Sequence, residues 1–315
     1  MGSATESQGK PAAARLRQLL REGGKTRFCP GVYDGITARL ALREGFDCLY
    51  MTGAGTAASR LGEPDLGLAT MNDMVANAGM ISSLDRSVPV IADADTGYGG
   101  PLMVARTVRA YISAGVAGMH LEDQVQNKRC GHLANKELVD EETYLTRIRA
   151  AVMAREEMRS VSGGAADIVI IARTDSIQSL GYEAAVSRLR NAILAGADVA
   201  FPEGMTSLEQ CSRVCKDLAP TPVLLNMVAG GVTPDLSVPE ANKMGFRIVI
   251  FPSVALDPVS EMVGNAMREL KKKQLPIVSD NRRQAGVKYL FNILGLEERI
   301  AFDAAAGGKS FANGA

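Results

Sequence analysis

The chain has 315 residues, 46% hydrophobic and 22% charged, which is the composition of a globular protein with a sizeable core. Its 35 basic and 35 acidic residues give zero net charge, which argues against nucleic acid or an anionic membrane surface as a partner. No apolar run reaches the roughly 18 residues of a membrane span, and residues 1–10 lack the apolar segment of a secretory signal.

Eight short apolar runs alternate with eight helical patterns along the chain. The runs are rich in β-branched residues, which is typical of parallel strands buried on both faces. Strands are predicted at 27–32, 47–51, 88–92, 117–121, 167–172, 198–202, 222–226 and 247–251. Helices are predicted at 35–44, 70–84, 101–114, 140–157, 181–195, 206–217, 237–243 and 255–272. This α/β alternation favours a closed (β/α)8 TIM-like barrel, with an open doubly wound sheet as the alternative.

The segments outside the eight repeats give the expected domain limits. Residues 1–13 are predicted to be a disordered tail, 14–300 a single barrel domain with C-terminal helices, and 301–315 a flexible tail. One surplus helix is predicted near 283–294, beyond the barrel count.

Polar residues follow every predicted strand. In a parallel barrel the C-terminal ends of the strands converge on the active site, so these residues are candidates for one site. In chain order they are Tyr33 and Asp34, Tyr50, Thr52 and Gly53, Asp93 and Asp95, Glu122 and Asp123, Arg173 and Asp175, Glu203, Asn226, and Ser253.

The segment ADADTGYGG at 92–100 carries the sharpest local chemistry. Asp93 and Asp95 are two residues apart and share one face of an extended strand end, and Glu122 follows the next strand. Three neighbouring carboxylates raise one another's pKa unless a cation neutralises them, and oxygen ligands suit Mg²⁺ or Mn²⁺. A helix cap with turn aspartates is the alternative.

The loop NKRCGHL at 127–133 is rich in reactive side chains. Cys130 has Lys128, Arg129 and His132 within two residues, which predicts a lowered thiol pKa. Such a thiol is a candidate general acid or base, or a nucleophile, although no triad is visible. The other cysteines are interpreted as small buried hydrophobes, and five cysteines without dense pairing indicate a reducing compartment such as the cytoplasm.

Two further side chains have open interpretations. Arg173 can bind a substrate carboxylate through two hydrogen bonds, or it can pair with Glu203 or Asp175. His120 lies within the fourth predicted strand and is interpreted as a packed barrel residue.

Six segments together resemble the isocitrate lyase and phosphoenolpyruvate mutase superfamily, over about residues 28–260. KRCGH after the fourth strand is similar to the branch that cleaves C–C bonds, nearest to fungal 2,3-dimethylmalate lyases and oxaloacetate acetylhydrolases and more distantly to 2-methylisocitrate lyases. The segments are PGVYDG (30–35), YMTGAGTAAS (50–59), ADADTGYGGP (92–101), LEDQ (121–124), KRCGH (128–132) and ARTD (172–175).

The resemblance implies a Mg²⁺ site and a set of reacting groups. Asp93 would contact the ion directly, and Asp65, Asp95 and Glu122 would hold its water shell. Tyr50 would be the base for a 2-hydroxyl group and Cys130 the acid, with His132 beside it, on a gating loop of about residues 124–135. The implied substrate-binding residues are Thr52, Gly53, Ala54, Gly131, Arg173, Glu203, Asn226 and Pro252.

Function and assembly are expectations from the same resemblance. The leading hypothesis is a lyase that cleaves a 2,3-dimethylmalate-like 2-hydroxy dicarboxylate to pyruvate and a short carboxylate. Pro252 aligns where dimethylmalate lyases have proline and oxaloacetate hydrolases serine, although a one-residue slip would bring Ser253 there. The alternatives are an oxaloacetate acetylhydrolase, a 2-methylisocitrate lyase-like enzyme, and a barrel without catalysis that binds a ligand or assembles. The family also implies a homotetramer, a dimer of dimers whose last helices swap between subunits.

Overall fold

The structure is a computed structural model, and it describes residues 10–311. Eight parallel strands form one sheet in the order β6-β5-β4-β3-β2-β1-β8-β7. The edges β6 and β7 meet at a single bridge between Ala200 and Val223, which leaves a nearly closed barrel. The strands are β1 Arg27–Val32, β2 Leu49–Met51, β3 Val90–Asp93, β4 Gly118–Leu121, β5 Val169–Thr174, β6 Val199–Pro202, β7 Leu224–Asn226 and β8 Ile248–Phe251.

Fourteen helices are present in residues 10–311, and the eight predicted ones are among them. They are α1 Ala12–Arg21, α2 Gly35–Arg43, α3 Gly53–Leu61, α4 Met71–Leu84, α5 Pro101–Ala114, α6 Glu141–Val161, α7 Ile177–Leu180, α8 Tyr182–Leu194, α9 Leu208–Asp217, α10 Val238–Met244, α11 Leu256–Lys273, α12 Asp280–Ala285, α13 Lys288–Ile293 and α14 Leu296–Ala305. The predicted (β/α)8 fold is therefore confirmed.

The barrel is filled by the inward side chains of its strands, including Tyr50, Ile91, Ile171 and Phe201. Because successive residues of a strand point to opposite faces, the alternate side chains pack outward against the helices in a second core. Helix α1 closes the N-terminal end, where its Leu16 is fully buried among the interior strand residues. This packing leaves the C-terminal end of the barrel for polar side chains.

The predicted tail boundaries need correction at both ends. Helix α1 begins at Ala12, inside the tail predicted for residues 1–13, because its Leu16 and Leu19 are buried under the barrel. Helix α14 extends to Ala305, inside the tail predicted for 301–315, and the single predicted helix near 283–294 is two short helices, α12 and α13. Residues 1–9 and 312–315 of the predicted tails lie outside the described residues.

Among the residues that the structure describes, no helix combines the length and the hydropathy that a membrane crossing requires.

Candidate active site

The loop after β3 places two carboxylates at the C-terminal end of the barrel. Asp93 and Asp95 are 4% and 5% exposed. The Asp95 backbone N–H donates to Asp93 Oδ1 over 2.9 Å, and its carbonyl accepts from the Glu122 N–H over 3.0 Å. These bonds hold Asp95 at a φ of 45°, a left-handed conformation that costs energy for a residue with a side chain. The two hydrogen bonds place both acids beside Glu122.

Lys128 joins the loop after β4 to this acidic group. Its buried ammonium lies 2.5 Å from Asp65 Oδ1 and 2.6 Å from Asp95 Oδ1. Sequence reasoning assigned Lys128 only to the environment of Cys130, because the loop that carries Asp65 is far away in the chain.

Arg173 forms the ion pairs that the sequence left open. Its guanidinium donates to the two oxygens of Asp175 over 2.9 and 3.0 Å and lies 3.6 Å from Glu203. Glu122 is fully buried, and its Oε2 is 3.2 Å from the Arg173 guanidinium, yet neither Glu122 oxygen accepts a hydrogen bond. Arg173 is therefore neutralised within the site, while Glu122 keeps unused acceptor capacity.

We call these connected charges the mouth cluster. Its acids are Asp65, Asp93, Asp95, Glu122, Asp175 and Glu203, and its bases are Lys128, Lys136 and Arg173. Acids thus outnumber bases six to three. Burial raises the pKa of Asp93 and of Glu122, and it raises that of Asp95 to about 7. A bound cation would neutralise such an excess of acidic groups.

The donor set fits a hydrated divalent cation. The acids of the mouth cluster offer oxygen atoms, which Mg²⁺ prefers. The unsatisfied Glu122 oxygens can accept hydrogen bonds from the water ligands of the ion. Within residues 10–311 no three His, Cys, Asp or Glu side chains form a ready cage for a metal ion, and Lys128 and Arg173 bind the acids instead. The predicted ligands are thus brought to one end of the barrel, but not into a closed shell.

Tyr50 and His120 form a buried pair beside Asp93. The Tyr50 hydroxyl lies 3.0 Å from His120 Nε2, and His120 Nδ1 lies 3.6 Å from Asp93 Oδ1. Burial, with Asp93 nearby, raises the Tyr50 pKa well above its ordinary value, whereas burial and Arg173 lower the His120 pKa. Tyr50 is therefore a neutral phenol and His120 a neutral imidazole. His120 is packed in the barrel, but sequence reasoning missed its contact with Tyr50.

Helix α3, which the sequence did not predict, carries Thr52, Gly53 and Ala54 at its N-terminus. The Thr52 hydroxyl caps Gly55, which leaves the N–H groups of Gly53 and Ala54 without intrahelical partners. A Cβ on Gly53 would lie 2.3 Å from Asp93 Oδ2, so glycine is needed for this close approach. Free N–H groups at a helix N-terminus bind anions, as the predicted carboxylate-binding role requires.

The loop of residues 124–135, here called the Cys130 loop, contacts the acids of the mouth cluster through Lys128. The Cys130 N–H donates to the Asp65 carbonyl over 3.1 Å, and the side chain is half-buried. Burial raises the Cys130 pKa, so the predicted lowering was wrong. The reason is that the Lys128 ammonium, expected beside the thiol, is paired with Asp65 and Asp95.

The other side of the Cys130 loop contacts the ends of β6 and β7. His132 Nε2 lies 3.5 Å from Glu203 and 3.2 Å from Asn226, and its Nδ1 accepts from the Val232 N–H over 3.3 Å. A Cβ on Gly131 would lie 2.4 Å from the Arg173 guanidinium, so only glycine allows the backbone this close. The loop thus brings Cys130, Gly131 and His132 to the strand-end residues, as predicted.

Pro252 directly follows β8. Because Pro30 of β1 is in register with Phe251, the next pair along the strands is Gly31 and Pro252, and a Cβ on Gly31 would meet the Pro252 backbone. Gly31 is in turn in register with Tyr50 of β2. The backbone of Pro252 is therefore two strands away from Tyr50 along the same register.

Comparisons with known proteins identify the family and agree with the overall fold. The family profile described as phosphoenolpyruvate phosphomutase matches residues 16–271. A 2,3-dimethylmalate lyase of Eubacterium barkeri is 43% identical over 78% of this chain and 81% of its own. A crystal structure of a 2,3-dimethylmalate lyase superposes with a TM-score of 0.92 at 55% identity, covering 98% of this chain and 99% of the other.

Two further solved structures contain ligands. An oxaloacetate acetylhydrolase in complex with the inhibitor 3,3-difluorooxalacetate superposes with a TM-score of 0.91 at 49% identity, covering 96% of this chain and 99% of that one. A phosphonopyruvate hydrolase complex with oxalate and Mg²⁺ superposes with a TM-score of 0.79 at 26% identity, covering 93% and 98%.

Proposed function

We propose that the substrate is a 2,3-dimethylmalate-like 2-hydroxy dicarboxylate. The premise is that this chain belongs to the phosphoenolpyruvate mutase/isocitrate lyase superfamily and is a C–C lyase. The observation that supports the proposal is the position of the Cys130 loop: the Cys130 N–H donates to the Asp65 carbonyl, and Lys128 of the same loop pairs with Asp65 and Asp95. Cleavage between C2 and C3 yields pyruvate and, from 2,3-dimethylmalate, propionate.

Substrate binding uses the α3 N-terminus and Arg173. The free N–H groups of Gly53 and Ala54 donate hydrogen bonds to the carboxylate and the 2-oxygen, and the Arg173 guanidinium binds the same end of the substrate. Arg173 is already oriented by Asp175, so little of its side-chain entropy remains to be lost on binding.

Removal of the 2-hydroxyl proton uses Tyr50 together with His120. A neutral phenol is a poor base, so Tyr50 takes the substrate proton as its own proton passes to His120 Nε2, which lies 3.0 Å from the Tyr50 oxygen. The neutral imidazole has the free lone pair that this transfer needs. The C2–C3 electron pair then passes to C3.

Cys130 delivers the proton that ends the reaction. Its thiol is protonated because burial raises its pKa, so it can donate to C3 and become a thiolate. The Cys130 loop is proposed to close over the substrate and to exclude water while the carbanion exists. Solvent then returns the proton from His120 to Cys130, which restores both groups.

The proposed metal is Mg²⁺, or Mn²⁺ in its place. Asp93 would hold the ion directly, and Asp65, Asp95 and Glu122 would hold its water ligands, as the surplus of buried acids favours. When bound, the ion lowers the pKa of the substrate hydroxyl and stabilises charge on the 2-oxygen.

Pro252 favours the methyl-bearing substrate. Proline offers apolar contact and no donor, which suits a methyl group better than a hydrated 2-oxo group. The test is a panel of 2,3-dimethylmalate, oxaloacetate and 2-methylisocitrate with purified protein and Mg²⁺. We expect the highest kcat/KM for 2,3-dimethylmalate, measured as pyruvate release from it and from 2-methylisocitrate and as oxalate release from oxaloacetate, and a preference for either other acid contradicts this assignment.

Hydrolysis of oxaloacetate to oxalate and acetate is the second candidate. It is supported by the 49% identity with an oxaloacetate acetylhydrolase and by Ser253, a hydroxyl one residue beyond Pro252. Pro252→Ser separates the two activities: if Pro252 excludes the hydrated substrate, the variant gains oxaloacetate hydrolysis and loses dimethylmalate cleavage.

We also propose a homotetramer built from pairs that exchange their last helices. Helix α11, the eighth barrel helix, buries none of its residues, and Met262 and Met267 on it are 66% and 62% exposed. Phe28, Ile36 and Leu40 are also at least 40% exposed around β1 and α2. A second copy's helices would cover these apolar surfaces, and the mass in solution tests the assembly. With five free thiols, the enzyme suits the cytoplasm.

A further inference from the structure

Lys136 is a buried cation that the proposed chemistry does not use. Its side chain is 1% exposed, its ammonium donates to the Gly131 carbonyl, and it lies 3.1 Å from Asp175 Oδ1. A buried ammonium is costly unless it is paired and hydrogen-bonded, so these two partners determine where the side chain lies.

The first partner, Gly131, leads to the thiol. The carbonyl that Lys136 binds belongs to the peptide group between Gly131 and His132. Gly131 is the next residue after Cys130, and the same turn is held by the Leu133 N–H, which donates to the Cys130 carbonyl over 2.9 Å. Because a peptide group is planar and rigid, holding the Gly131 carbonyl limits the rotation of the backbone beside Cys130. Lys136 thus fixes the loop backbone directly next to the residue that carries the thiol.

The second partner, Asp175, leads to the guanidinium. Asp175 holds Arg173 through two hydrogen bonds. The Asp175 backbone is itself anchored, since its N–H donates to the fully buried Asp123 over 2.8 Å. Asp123 also accepts from Arg188 and from the Thr174 hydroxyl. Lys136 therefore links the Cys130 loop to a fixed point behind the carboxylate-binding residue.

We propose that Lys136 is a positioning residue that sets the Cys130 thiol against Arg173 in one geometry, so that the proton reaches a single face of C3. The inference rests on the proposed function, and its mechanism is specific: one ammonium holds the loop backbone and Asp175 together. Without it, the loop would separate from the β5 end and C3 would be protonated from either face.

The test compares Lys136→Met with wild type and with Lys216→Met, which removes an exposed lysine of α9 as a matched control. Cleavage of 2,3-dimethylmalate in D₂O gives propionate with one deuterium at C2. We expect one enantiomer from wild type and from K216M, and a mixture from K136M with kcat lowered about 10- to 100-fold. A structural defect alone would lower the active fraction without altering the stereochemistry.

A second measurement does not depend on the substrate. Hydrogen exchange of the Cys130 amide, which donates to the Asp65 carbonyl, reports loop opening in the free protein. We expect about tenfold faster exchange in K136M and no change in K216M. Where K136M fails to fold, Lys136→Gln keeps a donor for the Gly131 carbonyl but loses the ion pair with Asp175, and smaller changes in the same direction are expected.

The outcomes separate this inference from the function. Wild-type exchange and unchanged stereochemistry in the Lys136 variants would overturn the role of Lys136. If wild type does not cleave 2,3-dimethylmalate, the substrate assignment fails, and the exchange of the Cys130 amide then decides the inference alone.

Discussion

At the N-terminal end of the barrel, two arginines and two aspartates neutralise one another, whereas at the C-terminal end six acids face three bases. Arg17 lies 2.8 Å from Asp167 and 2.7 Å from Asp198, and Arg155 lies 2.6 Å from Asp198. This N-terminal network also satisfies the backbone, since Asp198 accepts the Ile170 N–H.

The difference separates a structural ion network from a functional one. Balanced pairs fasten α1 and α6 to the strand starts and leave no group free to bind a ligand. The mouth cluster holds a surplus of acids, and burial raises the pKa of three of them, Asp93, Asp95 and Glu122. Such an arrangement does not stabilise the fold, so it indicates a functional site. Each end of the barrel can therefore be altered separately.

Removal of divalent metal has the largest expected effect. Excess chelator is expected to abolish pyruvate release, because the surplus acids need a cation, and added Mg²⁺ or Mn²⁺ is expected to restore it. The thermal unfolding midpoint of the chelated protein checks that the fold remains intact. Full turnover in excess chelator would refute the metal site.

Cys130→Ser removes the proposed acid. We expect kcat to fall about 10²- to 10⁴-fold, the usual contribution of a general acid, with the unfolding midpoint unchanged. The control is Cys215→Ser on α9, a half-buried thiol far from the mouth in the fold, which is expected to keep wild-type turnover. Undiminished turnover of C130S would remove the acid role.

Gly231→Ala tests how closely the loop after β7 approaches the Cys130 loop. The new Cβ would lie 2.5 Å from His132 Nδ1, so the imidazole must move. We expect kcat to fall about tenfold, because small displacements near the reacting groups are costly. Gly23→Ala, which meets no atom within 4 Å, is the control, and equal rates of the two variants would contradict the contact.

Arg17→Met breaks the N-terminal network instead. We expect the free energy of unfolding to fall by about 1–3 kcal/mol, since the pairs are partly exposed and screened, while kcat at 25 °C stays unchanged. Chemical denaturation and turnover measure the two quantities. A loss of turnover without a loss of stability would mean that the two ends are not separable.

The smallest expected effect is the pH dependence of the difference in stability between wild type and R17M. Although burial opposes it, the hydrogen bonds from Arg17 lower the pKa of Asp167 below its ordinary 3.8. The pair therefore stabilises the folded state above about pH 4, and its contribution is lost as the pH falls through the lowered value. Unfolding midpoints of wild type and R17M should converge below pH 4, and a constant gap would contradict this.

The sequence predicted the barrel closely because strands that are buried on both faces require short apolar runs, and these runs are visible in the sequence. It missed α1 and α3 for different reasons. Helix α1 is amphipathic, but its purpose, covering the open end of a barrel, exists only after closure. Helix α3 consists mostly of glycine, alanine and threonine, which is a weak local pattern, and the need for glycine at Gly53 comes from Asp93 across the site.

The candidate site divides in the same way. Residue types alone marked the strand-end acids, Tyr50, Cys130 and Arg173, because polar and reactive side chains at strand ends are chemically conspicuous, and the family resemblance added Asp65 and the role of Tyr50 as a base. The pairing of His120 with Tyr50, of Lys128 with Asp65, and the raised pKa of Cys130 did not follow from the sequence.

The amino-acid sequence by itself determined the fold, the superfamily and the inventory of reacting groups, since these depend on local periodicity and on which side chains follow which strand. Only the tertiary structure decided how the charges pair and which groups keep their protons. Ion pairing and desolvation act between residues that are far apart in the chain, as Lys128 and Asp65 are at 63 positions and Arg17 and Asp198 at 181, and no local pattern encodes the distance between them.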